Sequence, residues 1–165
     1  MFNLLYLCDQ KTYLSKMSRV RFHGMEAVGK LTNLKWSGPG WEGYNNSRSV
    51  QENIDVLFPG QQFDLVVAYK PLEMKNFSNV KFLKCIRYNE MYDKNWTIKE
   101  ITQSKANLVI CHHHNDFVEY KNIFKNFSLF PIKFFNVPHS AEKTVFKDYD
   151  FSKKYDLMLV GAVGV

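Results

Sequence analysis

A repeated pattern constrains the fold of this chain more than any other feature: an unbroken apolar run ends in polar residues, and a helical segment follows. Residues 107–117 are the clearest case. Leu108 to Cys111 is a short apolar run containing β-branched residues, which is typical of a buried strand. Polar residues from His112 to Asp116 follow at once, and residues 117–126 can form a helix. Because the apolar residues are continuous rather than alternating, the pattern favours parallel strands buried on both faces.

Runs of this kind predict strands separated by helices and loops along the whole chain. The predicted strands are 3–8, 34–36, 63–69, 80–86, 108–111, 132–137 and 155–161. The predicted helices are 18–32, 49–58, 96–106 and 117–126, with a polar connection over 10–18 and a glycine-rich loop over 37–43. Strands that alternate with helices indicate an α/β protein. We therefore predict a Rossmann-like, three-layer α/β/α fold with a mostly parallel sheet.

The composition and the charge exclude several classes of protein. With 165 residues, 45% of them hydrophobic, the chain can bury a core as one domain and is not a largely disordered protein. No apolar stretch approaches the roughly 20 residues of a membrane span. The net charge of +6 comes from scattered lysines, so we expect no nucleic-acid partner. Cys8, Cys85 and Cys111 lie inside predicted strands, which indicates buried free thiols and a reducing, cytoplasmic location.

Polar side chains follow most of the predicted strands. Parallel strands place their carboxyl ends at one edge of the sheet, and ligands of open α/β sheets bind at that edge. The residues expected to meet there are Asp9, Lys70, Arg87, Asn89, Glu90, His112, His113, His114, Asn115, Asp116 and His139. The sequence therefore predicts a binding site built from strand ends.

The run of three histidines has three interpretations. His112 and His114 could share one side of the chain and bind zinc with Asp116 as a third ligand. Neighbouring residues in an extended chain point to opposite sides, however, which separates His113 from the other two. We favour a polar loop that binds a substrate and predict no metal. The simplest alternative is that Asn115 or Asp116 caps the helix that follows.

Two further segments carry candidate binding groups. Arg19, Arg21 and His23 lie at the start of the first predicted helix, where backbone N–H groups suit a phosphate. The alternative is a solvated basic turn. Trp41 in the glycine-rich loop could stack on a sugar ring, or it could belong to an ordinary cluster of turns.

Three stretches of the sequence resemble the N-terminal half of GT-B glycosyltransferases. Residues 136–146, Asn-Val-Pro-His-Ser-Ala-Glu-Lys-Thr-Val-Phe, resemble the Pro-His-Gly-containing stretch that closes the first domain of the retaining families. Residues 154–162 resemble the strand that opens the second domain. Residues 87–93, the helix that follows them and the strand at 108–111 resemble the end of the family's fourth strand, a helix and a fifth strand that ends in a recognition loop. The likeness is to retaining family 4 and its CgeB-like or giant-virus branch. The family glycine after Pro-His is Ser140 here.

The resemblance implies that a sugar is transferred from a nucleotide-sugar co-substrate to an acceptor glycan or protein. Glu90, Asp93 and His113 would then orient or deprotonate the acceptor hydroxyl. The other strand-end residues, with Arg19, Arg21, His23 and Trp41, would bind the substrate.

The resemblance also divides the chain. Residues 1–140 would form the acceptor-side domain, 141–154 a linker, and 155–165 the first strand of a donor domain. A Rossmann-like half needs on the order of 100 residues. We therefore expect the chain to need a separate donor-domain polypeptide for activity. The alternatives are a non-catalytic module that binds a glycan or a protein, a histidine-rich metallohydrolase, and a nucleic-acid-binding protein.

Overall fold

A computed structural model shows a parallel sheet with helices on both faces. It describes residues 1–15, 20–88, 91, 93–125 and 131–138. Within those residues the strands are β1 (Asn3–Leu7), β2 (Asn33–Ser37), β3 (Leu65–Ala68), β4 (Lys84–Tyr88), β5 (Leu108–Cys111) and β6 (Lys133–Asn136). All neighbouring strands pair in parallel, in the order β2-β1-β3-β4-β5-β6. The predicted α/β, Rossmann-like fold is therefore confirmed. The strand predicted at 155–161 lies outside the described residues.

The helices divide between the two faces of the sheet. They are α1 (Gln10–Ser15), α2 (Val20–Gly29), α3 (Val50–Leu57), α4 (Lys94–Ser104) and α5 (His114–Phe124), with short 3₁₀ turns at Pro71–Glu73 and Phe77–Asn79. Tyr13 of α1 and Met25 of α2 pack with Leu4 and Tyr6 of β1 on one face, which we call the α1/α2 face. The alternate residues of the strands pack against α3, α4 and α5 on the opposite face.

Helix α1 was not expected, because its sequence is polar and short. Asp9 begins it: its carboxylate Oδ1 accepts a hydrogen bond from the Thr12 backbone N–H at 2.6 Å. Tyr13, which is 5% exposed, and the partly buried Leu14 then anchor the helix to the sheet. Such a short helix depends on tertiary packing rather than on intrinsic propensity, so the polar pattern of residues 10–18 gave no sign of it.

The glycine-rich loop is held against the carboxyl end of β1. Gly38 has φ +128°, and a Cβ atom there would lie 2.4 Å from the Cys8 carbonyl oxygen. Only glycine accommodates that conformation together with that approach. The Gln10 N–H donates to the Pro39 carbonyl at 2.8 Å, which ties the loop to the start of α1.

The other end of the same loop is anchored by a buried side chain of α3. Asn53 is 1% exposed. Its amide accepts from the Asn45 N–H at 2.8 Å and donates to the Asn45 and Ser49 carbonyls, each at 3.0 Å. The loop is thus fixed at both ends beside the carboxyl edge of the sheet.

The α1/α2 face is covered unevenly. Helices α1 and α2 pack over β1 and its neighbours, whereas no described helix lies on this face over β6. Phe135 and Val137 at that end are 48% and 46% exposed. None of the described helices is long and apolar enough to cross a membrane.

Candidate functional site

The carboxyl ends of the strands form one level edge. Leu7 pairs with Ala68, Ala68 with Ile86, and Cys111 with both Tyr88 and Asn136. The residues that follow the strands therefore line up along the edge as the sequence predicted. Asp9, Lys70 and the segment from His112 to Asp116 lie there. Arg87 lies within β4, one residue before its end, because that strand is Lys84–Tyr88 and not the predicted 80–86.

The strand order creates a topological switch point between β1 and β3. The chain runs from β1 outward to β2 and then returns to β3 on the other side of β1. Crevices at such points, outside the carboxyl ends, are where ligands of doubly wound sheets bind. Asp9 follows β1 and Lys70 follows β3, so this crevice is flanked by one carboxylate and one ammonium group.

The two groups at the switch point already have internal partners. Hydrogen bonds from Thr12 hold the pKa of Asp9 below its usual value. Lys70 adopts the left-handed conformation, with φ 59°, and its Nζ lies 2.9 Å from Oε1 of Glu73. That contact raises the pKa of Lys70. Both charges are therefore present at neutral pH, and both side chains are open to solvent on one side.

Arg87 and His112 form a joined pair at the ends of β4 and β5. The Nε atom of Arg87 donates to Nε2 of His112 at 2.9 Å, and Nδ1 of His112 lies 2.5 Å from the Val137 carbonyl oxygen. Nδ1 therefore carries the imidazole proton, because Nε2 accepts and the carbonyl can only accept. His112 is 7% exposed. Both ring nitrogens of His112 therefore have hydrogen-bond partners. Neither is available to bind zinc, as the metal interpretation requires.

The remaining residues of the histidine segment begin α5. His113 occupies the N-cap position without a side-chain cap bond, and His114 is the first helical residue. The N-cap is therefore neither Asn115 nor Asp116. His113, His114 and Asn115 are exposed, and the His114 ring lies 6.0 Å from that of Phe117. Among the residues the structure describes, no three His, Cys, Asp or Glu side chains are grouped to hold a metal ion.

Asp93 begins α4 in the same way that Asp9 begins α1. Its Oδ1 accepts from the Trp96 N–H at 2.9 Å. The Asp93 side chain is exposed. Its neighbours Asn89 and Glu90 lie outside the described residues, as do Arg19 and His139, and the side chains of Arg21 and His23 are not described either.

Trp41 is part of the packed structure around the end of β1. Its indole N–H donates to the Cys8 carbonyl at 3.0 Å, and its ring stacks on that of Trp36 with centroids 5.4 Å apart. One ring face is therefore already covered, and a sugar could stack only on the other.

Two buried polar groups near the site were missed by the sequence reasoning. Tyr88 donates its hydroxyl proton to Oε2 of Glu100 at 2.5 Å, and Glu100 is 3% exposed. Burial raises the pKa of Glu100. No local pattern predicts this pair, because Tyr88 lies in β4, Glu100 lies in α4, and the two are brought together only by packing.

Comparisons of the chain with protein-family models, with curated proteins and with solved structures found no match.

Proposed function

We propose that this chain is the acceptor-side domain of a GT-B glycosyltransferase, which transfers a sugar from a nucleotide-sugar to a glycan or protein acceptor. The proposal rests first on the likeness of residues 136–146, 154–162 and 87–93 to that family. The structural observation that supports it most is the level carboxyl edge. That edge carries Asp9, Lys70 and His113 beside a topological switch point.

The exposed groups at the edge suit an acceptor that is rich in hydroxyls. Lys70 donates hydrogen bonds, Asp9 accepts them, and the imidazoles of His113 and His114 can do either. Each neutral contact with a sugar hydroxyl contributes about 0.5–1.5 kcal/mol, and contacts with a charged group contribute about 1.5–3 kcal/mol. A few such contacts give the weak, specific binding expected of an acceptor.

In the proposed reaction His113 and Asp93 orient the acceptor hydroxyl, and one of them accepts its proton. The new glycosidic bond forms as the bond between the sugar and the phosphate of the nucleotide breaks, and the nucleotide leaves with the electron pair of that bond. Both side chains are exposed, one at the start of α5 and the other at the start of α4. The donor and its binding groups would come from a second domain, in keeping with the family.

A binding experiment on the isolated chain tests the acceptor role. The ¹⁵N-labelled protein is titrated with a panel of oligosaccharides and, separately, with nucleotide-sugars. We expect one class of oligosaccharide to shift the amide signals around Asp9, Lys70 and His113. The absence of any saturable shift with all of the sugars would contradict the proposal.

Two lysines provide a matched pair of variants for this titration. Lys70 at the carboxyl edge and Lys105 at the opposite edge both have positive φ, 59° and 52°. Asparagine tolerates that conformation, so K70N and K105N carry a similar backbone cost. We expect K70N to weaken acceptor binding about tenfold or more, and K105N to leave it unchanged. Equal effects would indicate that the edge is not the binding site.

Sugar transfer is tested by mixing the chain with a polypeptide that supplies a donor domain, such as the product of a neighbouring reading frame. D93N is a suitable variant, because asparagine still caps a helix but has no negative charge. We expect D93N and H113Q to lower the rate of transfer and to leave α4 and α5 folded. Unchanged rates in both variants would remove these residues from the proposed mechanism.

One observation favours a non-catalytic alternative, a module that binds a glycan without transferring a sugar. The described carboxylates of Asp9 and Asp93 both accept a hydrogen bond at the start of a helix. If those bonds are their whole role, the titration will show binding and the mixed assay will show no transfer.

A further inference from the structure

A cavity of about 330 Å³ lies on the α1/α2 face, where α2 borders the part of the sheet that no described helix covers. It is lined by Phe2, Leu4, Gly24, Met25, Val28, Thr32, Leu65, Val67, Arg87, Ile110, His112, Val137 and Pro138. Its volume is within the range of small-molecule sites, about 300–1,000 Å³. Most of the lining is aliphatic or aromatic, so the cavity favours an apolar occupant.

The lining of the cavity extends from one edge of the sheet to the other. Phe2 and Thr32 directly precede β1 and β2, so they mark the amino edge of the sheet. Arg87 and His112 lie at the carboxyl ends of β4 and β5 and mark the opposite end. At about 3.3 Å per residue, the five residues of a strand here span roughly 16 Å. An occupant that fills this length is therefore a chain rather than a compact ring.

One end of the cavity is polar and cationic. The Arg87 side chain is held by its bond to His112 at 2.9 Å. A Cβ atom on Gly24 would lie 3.5 Å from Nη2 of Arg87, so α2 passes close beside the guanidinium. An arginine stays charged at every physiological pH. The pair therefore presents a permanent positive charge at the end of an apolar channel.

Two buried tyrosines lie near Arg87. Tyr6 and Tyr13 are 0% and 5% exposed, and their ring centroids lie 5.4 Å apart. Arg87 is close enough to Tyr6 for its charge to oppose the rise that burial causes in the pKa of that hydroxyl. The donors that this end of the cavity offers to an anionic group are the N–H groups of the Arg87 guanidinium.

We propose that this cavity binds a single-chain amphiphile with an anionic head group, of which a medium- or long-chain carboxylate is the simplest example. The alkyl chain lies along Leu4, Val67 and Ile110, and the carboxylate lies at Arg87. A neutral or cationic amphiphile lacks the complementary charge. The proposal does not depend on glycosyl transfer, since no sugar takes part in it.

The first test is a titration of the whole chain with octanoate, decanoate and dodecanoate below their micelle concentrations, followed by calorimetry and by ¹⁵N amide shifts. Each added CH₂ group should raise the affinity about fourfold, which corresponds to ~0.8 kcal/mol. Decanol has a chain of the same length without the charge, and it should bind about tenfold more weakly than decanoate. The shifted amides should be those of α2, β3 and β5.

Three variants and a matched control locate the site. I110W places a bulky ring in the cavity, whereas V118W places one on the exposed surface of α5, where Val118 is 42% exposed. We expect I110W to abolish decanoate binding and V118W to retain it. R87Q should reduce the preference for decanoate over decanol, and R87K should keep part of it. If R87Q does not fold, the comparison of decanoate with decanol in the wild-type chain still tests the charge.

Four results would overturn the proposal. They are the absence of saturable dodecanoate binding, equal affinity for decanol and decanoate, undiminished binding in I110W, and amide shifts confined to other elements. A concentration-dependent dimer that protects Phe135 and Val137 from solvent and binds no amphiphile would show that a second copy of the chain covers this face instead. Failure of the oligosaccharide titration would leave these outcomes unaffected, so the two proposals are tested separately.

Discussion

Replacement of Asn53 by alanine tests how the glycine-rich loop is held beside the carboxyl edge. The Asn53 amide makes three hydrogen bonds, with the N–H and the carbonyl of Asn45 and with the carbonyl of Ser49. A typical intramolecular hydrogen bond contributes about 1 kcal/mol net, so N53A removes about 3 kcal/mol. Asn45 is exposed. Its backbone groups can therefore bind water, and no further penalty for buried, unpaired groups is added.

Asn122 is the matched control, because it lies exposed on α5. Alanine has a higher helix propensity than asparagine, by up to about 0.7 kcal/mol. N53A and N122A both gain this stabilisation, so it cancels when the two variants are compared. N53A should therefore lose about 2–3 kcal/mol of unfolding free energy and N122A should lose none. In a domain of this size 1 kcal/mol lowers Tm by about 2–4 °C, so we expect a fall of roughly 5–9 °C for N53A.

Urea unfolding and calorimetry measure this difference, and hydrogen exchange of the Asn45 amide shows whether the loop is released. A difference of less than about 1 kcal/mol between the two variants, or exchange of the Asn45 amide at the wild-type rate in N53A, would refute this role of Asn53.

Three further predictions follow from buried groups and from one backbone constraint. Burial raises the pKa values of Cys8, Cys85 and Cys111 to about 12. A thiol reagent at pH 8 should therefore label none of the three in the folded protein and all three in denaturant. Rapid labelling of the folded protein would be inconsistent with their burial. Burial also raises the pKa of Glu100 above its usual 4.5. The folded state then holds that proton more tightly than the unfolded state, and stability falls as the pH rises above about 4.5. E100Q should flatten this part of the urea-unfolding profile, and an equally steep slope would refute the assignment. G38A should destabilise the fold far more than G60A. Both glycines have positive φ, but only at Gly38 would the new Cβ overlap the backbone, at 2.4 Å from the Cys8 carbonyl oxygen. Equal losses of unfolding free energy in thermal unfolding would show that the positive φ alone causes the destabilisation.

The proposed acceptor edge and the proposed amphiphile cavity share one boundary, the Arg87–His112 pair. Seen from the edge, the pair lies beside the exposed histidines of α5. Seen from the α1/α2 face, it closes the polar end of the cavity. An R87Q variant therefore affects both sites, whereas I110W affects only the cavity and K70N only the edge. The three variants together separate the two activities.

The sequence by itself determined the class of fold and the place of the candidate site. Continuous apolar runs such as Leu108 to Cys111 are local signals, and their alternation with helical segments predicts a parallel α/β sheet. The carboxyl-edge position of Asp9, Lys70 and His112 followed from that prediction, because parallel strands all end at one edge. The buried state of the three cysteines was predictable for the same reason, since each lies within an apolar run.

Only the tertiary structure decided which of those residues meet and what each side chain does. The strand order, which places the switch point between β1 and β3, depends on pairings between distant segments that no local pattern encodes. Helix α1 exists because Tyr13 packs on the sheet. His112 is closed to a metal because Arg87 and the Val137 carbonyl, 25 residues away on either side, occupy its ring nitrogens. The apolar cavity likewise depends on packing, because among the described residues no helix covers the part of the sheet between α2 and β6.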